Sequence, residues 1–273
     1  MREARHARSA IAMAVPGPGR DTGGVHTARL ILALPDRPTA EADHALPRLL
    51  GALHQNGQVL DSAPPVVADE QALHAYLSLP AADALDPEHH GPYVRAALAE
   101  LAAAGHGAPR VRLLGADPHG EPECGCETPS AYLLYTTFVD RDSPLRCADC
   151  SGTVPLYRIP AGPGDLIRSR VLDWQQQYRA CDRLWIESGA LEAAALHELV
   201  AAGSDLSASG RELCAALAAA PHLGRPVYYY LHRPGGEEPA APDACPSCGR
   251  PWRLDLPWGV CGHRCDGCGL AAA

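Results

Sequence analysis

The sequence predicts an α+β protein in three parts, and three observations predict it. Strand-like and helix-like stretches alternate through residues 25–118, which points to an N-terminal α/β sandwich-like domain with helices packed on a small sheet. Four closely spaced cysteine pairs follow in two groups, Cys124/Cys126 with Cys147/Cys150 and Cys245/Cys248 with Cys265/Cys268. A Pro/Gly/Ala-rich run, RPGGEEPAAPDA, separates the second group from everything before it. The expected division is a disordered leader over 1–24, the α/β domain over 25–118, a cysteine hairpin with helices over 119–235, a linker over 236–244 and a C-terminal ribbon over 245–273.

Within the first domain, HTARLILALP reads as a buried strand stopped by Pro35. Leu46, Leu49, Leu50 and Leu53 mark one face of a helix with Pro47 near its start and Gly57 just past its end. A second helix is expected over roughly Asp69 to Leu77. A third opens at Pro92, carries Tyr93, Val94, Ala97, Leu98 and Leu101, and ends at Gly105. PRVRLLG then gives a strand with Val111 and Leu113 on one face. His89 and His90 are flanked by Asp86, Pro87 and Gly91, and read as a polar loop rather than a metal site.

The middle of the chain has a different texture. HGEPECGCETPS brings the first cysteine pair, AYLLYTTF is a strand, SPLRCADCSG brings the second pair, and TVPLYRIP leads away. Trp174, Tyr178, Cys181 and Trp185 recur at i, i+4, i+7 and i+11, one stripe along a helix, with Gln175 and Asp182 on a neighbouring face. Ser209-Gly-Arg-Glu212 reads as a capping box opening a further helix that turns Leu213, Cys214 and Leu217 inward. GRPVYYYLHR is a strand with three consecutive tyrosines, so at least one is expected to point away from the core. Cys181 and Cys214 read as small core hydrophobes.

Composition excludes some chemistry. The 273 residues include no lysine, so there is no P-loop lysine and no lysine Schiff base. The formal net charge is -9, which opposes non-specific binding to a phosphate backbone unless the arginines cluster. No apolar run approaches the ~20 residues that span a bilayer. The apolar stretch IAMAV near the N-terminus is shorter than the ~7–15 residues of a secretion signal. The expected compartment is the cytoplasm, with no membrane partner.

In a chain without a secretion signal, such cysteine pairs are metal knuckles more often than disulfides. Cys245-Pro-Ser-Cys248 and Cys265-Asp-Gly-Cys268 have the spacing of a zinc ribbon, in which two tight turns each present two sulfurs. Gly249, Gly267 and Gly269 are expected to permit positive-φ turns there. Thiolates select zinc over magnesium or calcium, and four of them close the site to water. Cys124, Cys126, Cys147 and Cys150 make a second expected four-cysteine site, a less regular one because C-x-C is a less regular knuckle; His119 is an alternative ligand there. The cofactor reading is therefore two structural Zn²⁺ ions, one in a mid-chain four-cysteine hairpin and one in a C-terminal zinc ribbon.

The runs SPLRCADCSGTVPLYRIP, DWQQQYRACDRLWIESG, LSASGRELC, RPVYYYLHR and CPSCGRPWRLDLPW…CDGCGL lie in that order over about residues 120–270. They resemble a bacterial family of unknown function described as zinc-ribbon-containing and suggested to bind nucleic acid. The resemblance implies a C-terminal ribbon and a mid-chain cysteine cluster, and it supplies no reaction. Where this chain has Gly-Val-Cys-Gly-His, similar proteins carry an apolar or aromatic hairpin segment. The resemblance thus implies that Cys261 and His263 are local departures, with His263 expected to donate to the thiolate sulfurs. An exchange of Cys261 for Cys265 as ligand stays open.

Three functions follow as expectations. The first is a non-catalytic zinc-binding protein that docks a protein or peptide, in an adaptor or immunity-like role; its acidic scaffold suits a basic partner. The second is a nucleic-acid-binding ribbon, with Trp252, Trp258, Arg250 and Arg253 as its surface. Against it, Arg233, Arg250, Arg253 and Arg264 are matched by Glu237, Glu238, Asp243, Asp255 and Asp266. The third is an enzyme using the helix face of Tyr178 and Asp182, which stand one turn apart.

Overall fold

The computed structural model describes residues 24–34, 42–162, 164–233 and 243–273. The leader expected over 1–24 therefore lies outside the described residues but for Gly24, and the linker over 236–244 lies outside them but for Asp243 and Ala244. Among the described residues no helix is long and apolar enough to cross a membrane.

The N-terminal unit runs β1 (His26–Ala33), α1 (Ala42–Gln55), β2 (Val66–Ala68), β3 (Ala72–Leu79), α2 (Pro92–Ala103) and β4 (Arg110–Ala116). Its strands lie in the order β2-β3-β1-β4, each antiparallel to its neighbour. This β-α-β-β-α-β path is the split βαβ sandwich, with both helices on one face of the sheet. Ala28, Leu30 and Leu32 of β1 pack with Leu46, Leu49 and Leu53 of α1 and with Val94 and Leu101 of α2.

The helix expected over Asp69–Leu77 is instead the turn between β2 and β3 and most of β3. The Asp69 carboxylate accepts from the amides of Gln71 and Ala72, both at 2.8 Å, and so holds a tight turn. After it the chain alternates: Ala75, Leu77 and Leu79 are buried against the helices, while His74, Tyr76 and Ser78 lie on the other face. The period of two decides the element despite the helix-forming composition. Val111 and Leu113 share a face of β4 as expected, yet all seven residues of this edge strand are exposed.

The second unit contains β5 (Tyr132–Leu134), β6 (Leu145–Cys147), α3 (Ile167–Arg183), α4 (Glu192–Val200), α5 (Asp205–Ala218), β7 (Val227–Tyr230), β8 (Arg253–Trp258), β9 (Cys261–Cys265) and β10 (Leu270–Ala272). These strands form one sheet in the order β6-β5-β7-β10-β9-β8. The mid-chain hairpin and the C-terminal ribbon are hydrogen-bonded into it through β7, which is parallel to both β5 and β10. Trp174, Tyr178, Leu213, Leu217, Tyr229 and Leu270 fill the core on the helix side. On the opposite face Leu133, Ala148, Tyr228, Tyr230, Cys261 and Ala271 make a second, smaller cluster.

Three expectations change here. All three tyrosines of β7 are buried, because both faces of the sheet are covered: Tyr229 meets Trp174 edge-on at 5.9 Å, and Tyr228 and Tyr230 enter the smaller cluster. The helix that carries Leu213, Cys214 and Leu217 begins several residues before the capping box expected at Ser209–Glu212. Its cap is Ser204, whose hydroxyl accepts from the Ser207 amide at 3.2 Å, whereas Ser209 lies inside the helix and donates back to the Leu206 carbonyl. Helix α4, a short Ala/Glu/Leu stretch, is an addition to the elements expected from the sequence.

The segment after β6 locks the two units together. Tyr157 sits in the N-terminal core and donates its hydroxyl to Asp83 at 2.5 Å. Arg158 bridges Asp83 and Glu123, and Arg168 of α3 donates to the Asn56 side chain at 2.5 Å.

Candidate metal centres

The sulfurs of Cys124, Cys126, Cys147 and Cys150 all lie within 4.8 Å of one another, and so do those of Cys245, Cys248, Cys265 and Cys268. Each group can hold one metal ion. His119 is not among the grouped donors, and its backbone amide bonds the Asp117 carboxylate at 2.9 Å.

The local backbone explains why the sulfurs converge. In Cys147-Ala-Asp-Cys150 the Ser151 amide donates to the Cys147 carbonyl at 2.9 Å, and in Cys245-Pro-Ser-Cys248 the Gly249 amide donates to the Cys245 carbonyl at 2.8 Å. The residue after each of the three C-x-x-C knuckles, Cys265–Cys268 included, adopts positive φ: Ser151 at 62°, Gly249 at 72° and Gly269 at 62°. Glycine takes this conformation freely and serine does not. Gly267, expected to serve the same purpose, does not. It leaves room for the Arg250 guanidinium, which any Cβ there would strike. Gly152 is also fixed by space, because a Cβ would lie 2.7 Å from the Cys124 amide nitrogen. Only glycine lets the Cys124 segment pass over the knuckle.

The electrostatics of each group favour one thiolate. Hydrogen bonding from Cys124, then from the Cys150 and Asp149 amides, holds Cys147 down at about 5, and Cys124 is raised in turn. Burial and then contact with Cys150 push Cys126 up to about 11. In the second group the Arg250 guanidinium donates to Cys248 Sγ at 3.5 Å and lowers it to about 6, while burial first, then Cys245 and Cys248, raise Cys265 to about 12. Thiols in contact ionise one at a time, because each thiolate raises the cost of the next. A divalent cation removes that penalty and accepts all four as thiolates. Four protein ligands on such an ion would leave no coordination position for water.

Cys261 and His263 stand outside the sulfur group. Cys261 is fully buried in the smaller cluster, where burial pushes its thiol up to about 12. His263 does not donate to the sulfurs. Its Nδ1 bonds the Ala273 carbonyl at 2.8 Å, and its ring packs 5.1 Å from that of Trp252. The sulfur-directed donor that sequence reasoning misses is Arg250, two residues after Cys248.

The other candidates divide by exposure. Tyr178 and Asp182 are buried and present no surface to a substrate or partner. Asp182 accepts from the Phe138 amide at 2.8 Å, and Gln175 beside it donates to the Asp142 carbonyl at 2.8 Å. This helix face anchors the 136–142 segment. Burial holds Asp182 up at about 6. Trp252 is also buried, under the Arg233 guanidinium at 4.8 Å, so it is a core residue and not a stacking platform. Arg250 and Arg253 are exposed, and Trp258 is half-buried beneath Arg264 at 5.1 Å. The turn of the β8–β9 hairpin rests on the mid-chain cysteine group: a Cβ on Gly259 would sit 3.3 Å from the Ala148 carbonyl oxygen, inside the Cys147–Cys150 knuckle.

Comparison with known proteins covers both units. Residues 32–115 match a domain of unknown function (DUF8589), and residues 126–232 match another (DUF2310). An uncharacterized protein of Haemophilus influenzae is 30% identical over 236 residues, covering 82% of this chain and 89% of its own length. A second uncharacterized protein of that organism is 32% identical over 164 residues, 59% of this chain and 79% of its own. No solved structure matches. The chain therefore belongs to the same family as these Haemophilus influenzae proteins, a bacterial family without an established function.

Proposed function

We propose that the protein is a non-catalytic zinc protein of the cytoplasm, in which two structural Zn²⁺ ions staple one scaffold that docks a protein or peptide partner. The observation that carries the metal reading is the pair of closed, all-cysteine groups built into a single sheet. Soft thiolates in a four-fold set select zinc. Burial of Tyr178 and Asp182 removes the helix face on which an enzymatic reading rested. The nucleic-acid reading of the ribbon loses support because its arginines already have partners. Arg253 lies 3.5 Å from Asp243, Arg264 lies 2.9 Å from Asp266, and Arg250 serves Cys248. Elemental analysis of the purified chain tests the metal reading: two zinc atoms per chain are expected, and one zinc or a redox metal in either site overturns it. Cross-linking in the native host tests the docking reading, which fails if no protein is joined to the chain.

A further inference from the structure

Three features coincide on β4. Among the described residues the strand pairs with β1 alone, so its outer edge presents unpaired backbone N–H and C=O groups. Val111 and Leu113 point to the helix side of the sheet yet remain 47% and 46% exposed, because neither helix reaches the edge. Arg110 and Arg112 point to the open face, where Arg112 lies opposite Arg29 of β1 and Arg110 opposite Ile31. Among the described residues none of these three arginines makes an ion pair or a side-chain hydrogen bond, and Arg29 Nε is buried without a partner. Acidic residues outnumber arginines over 24–118, so three arginines without a carboxylate partner among the described residues run against the local composition.

We propose that β4 is a docking edge for an extended peptide of a protein partner in which acidic residues alternate with apolar ones; this rests on the docking reading above. The peptide adds a fifth strand to the sheet through backbone hydrogen bonds. Its acidic side chains at i and i+2, roughly 7 Å apart on one face, meet Arg110 and Arg112, with Arg29 behind them. Its apolar side chains fall on the other face and cover Val111 and Leu113. One occupant thus satisfies the edge, the apolar pair and the arginines together. A nucleic-acid strand would engage the arginines and leave the backbone edge and the apolar pair unused. A second copy of β4 would bring Arg110 and Arg112 against arginines, so the same charges guard the edge from self-pairing.

The test is fluorescence anisotropy with the full chain and a short, acetylated, labelled peptide of alternating Glu and Val. Saturable binding that weakens with salt is expected. Arg110→Glu with Arg112→Glu should lower affinity by about tenfold or more. Methylating alternate backbone nitrogens of the peptide should do the same without touching its charge. Both arginines are exposed, so the double variant should keep its metal content and melting temperature, and these are measured alongside. The proposal is overturned if the acidic peptide does not bind, if the methylated peptide or the double variant binds equally well, or if a single-stranded oligonucleotide binds more tightly. Cross-linking in the native host separates the two readings. The same partner joined to wild type and double variant overturns the β4 edge and leaves docking standing, whereas no partner joined to either removes docking itself.

Discussion

Gly51→Ala and Gly210→Ala make one chemical change in the middle of two helices, α1 and α5, and should move stability in opposite directions. A methyl group at Gly51 meets nothing within 4 Å. The gain there is the helix propensity of alanine over glycine, about 1 kcal/mol. At Gly210 the same propensity gain applies, but the methyl would lie 2.8 Å from Trp174 Nε1 and closer still to the ring of Tyr229. Trp174 is 3% exposed and Tyr229 is fully buried, so neither ring has free space to move into. Tyr229 is further held by its edge contact with Trp174 and by the Ser207 hydroxyl at 3.4 Å. Overpacking a core costs about 1–3 kcal/mol, and a clash with two fixed rings belongs at the upper end. The net expectation is a loss of about 2 kcal/mol for Gly210→Ala, and so a gap of about 3 kcal/mol between the variants. Urea unfolding followed by far-UV circular dichroism, with metal content matched, reads this directly. A gain in stability at Gly210 equal to that at Gly51 would refute the packing described for α3, α5 and β7.

Three further outcomes are expected. Asp182 is held up at about 6 from 3.8 by burial, so its neutral form suits the fold; that contribution is complete below about pH 4 and lost as pH rises through about 6. Asp182→Asn keeps an acceptor for the Phe138 amide and should exceed wild type by about 3 kcal/mol at neutral pH but by little near pH 4; a gap that does not change with pH sinks this account. Cys265→Ser should lose one metal ion per chain, whereas Cys261→Ser should keep both and still lose about 1–3 kcal/mol, because a hydroxyl replaces a buried thiol among apolar groups. Elemental analysis with unfolding curves distinguishes the two. Ser151→Gly should relieve the positive φ of 62° and raise stability by about 0.5–1 kcal/mol with metal content unchanged, and a loss of stability would show that the serine side chain matters more than the turn.

The cysteine groups are legible in the sequence because knuckle spacing is local: two sulfurs and a tight turn need only a short stretch of chain. Helix α2 is legible for a similar reason, with Pro92 at its start and a clean apolar face. Strand β3 is not. ALHAYLSL is rich in alanine and leucine, both good helix formers, and its period of two from Ala75 to Leu79 outweighs them once pairing with β1 and β2 and the turn at Asp69 hold the strand. The tyrosines of β7 mislead because alternation describes a sheet covered on one face, and this one is covered on both. Trp252 reads as a surface residue since its neighbours Arg250 and Arg253 are polar, yet Arg233 and His263 close over it from distant points in the chain. The arginine patch hides for the same reason. Arg29 and Arg112 are far apart in sequence and become neighbours only by register.

The short strand β10 sits in the interior of the six-stranded sheet, and its three residues are fully buried. It is the seam that joins one metal group to the other: β6, β5 and β7 lie on one side, and β9 and β8 on the other. The β8–β9 turn closes the same loop from the opposite direction by resting on Ala148 in the Cys147–Cys150 knuckle. If each ion orders the seam that the other site needs, filling one site would raise affinity at the second, and by reciprocity the second would raise the first by the same factor. A chelator would then strip the chain in a concerted step rather than one ion at a time.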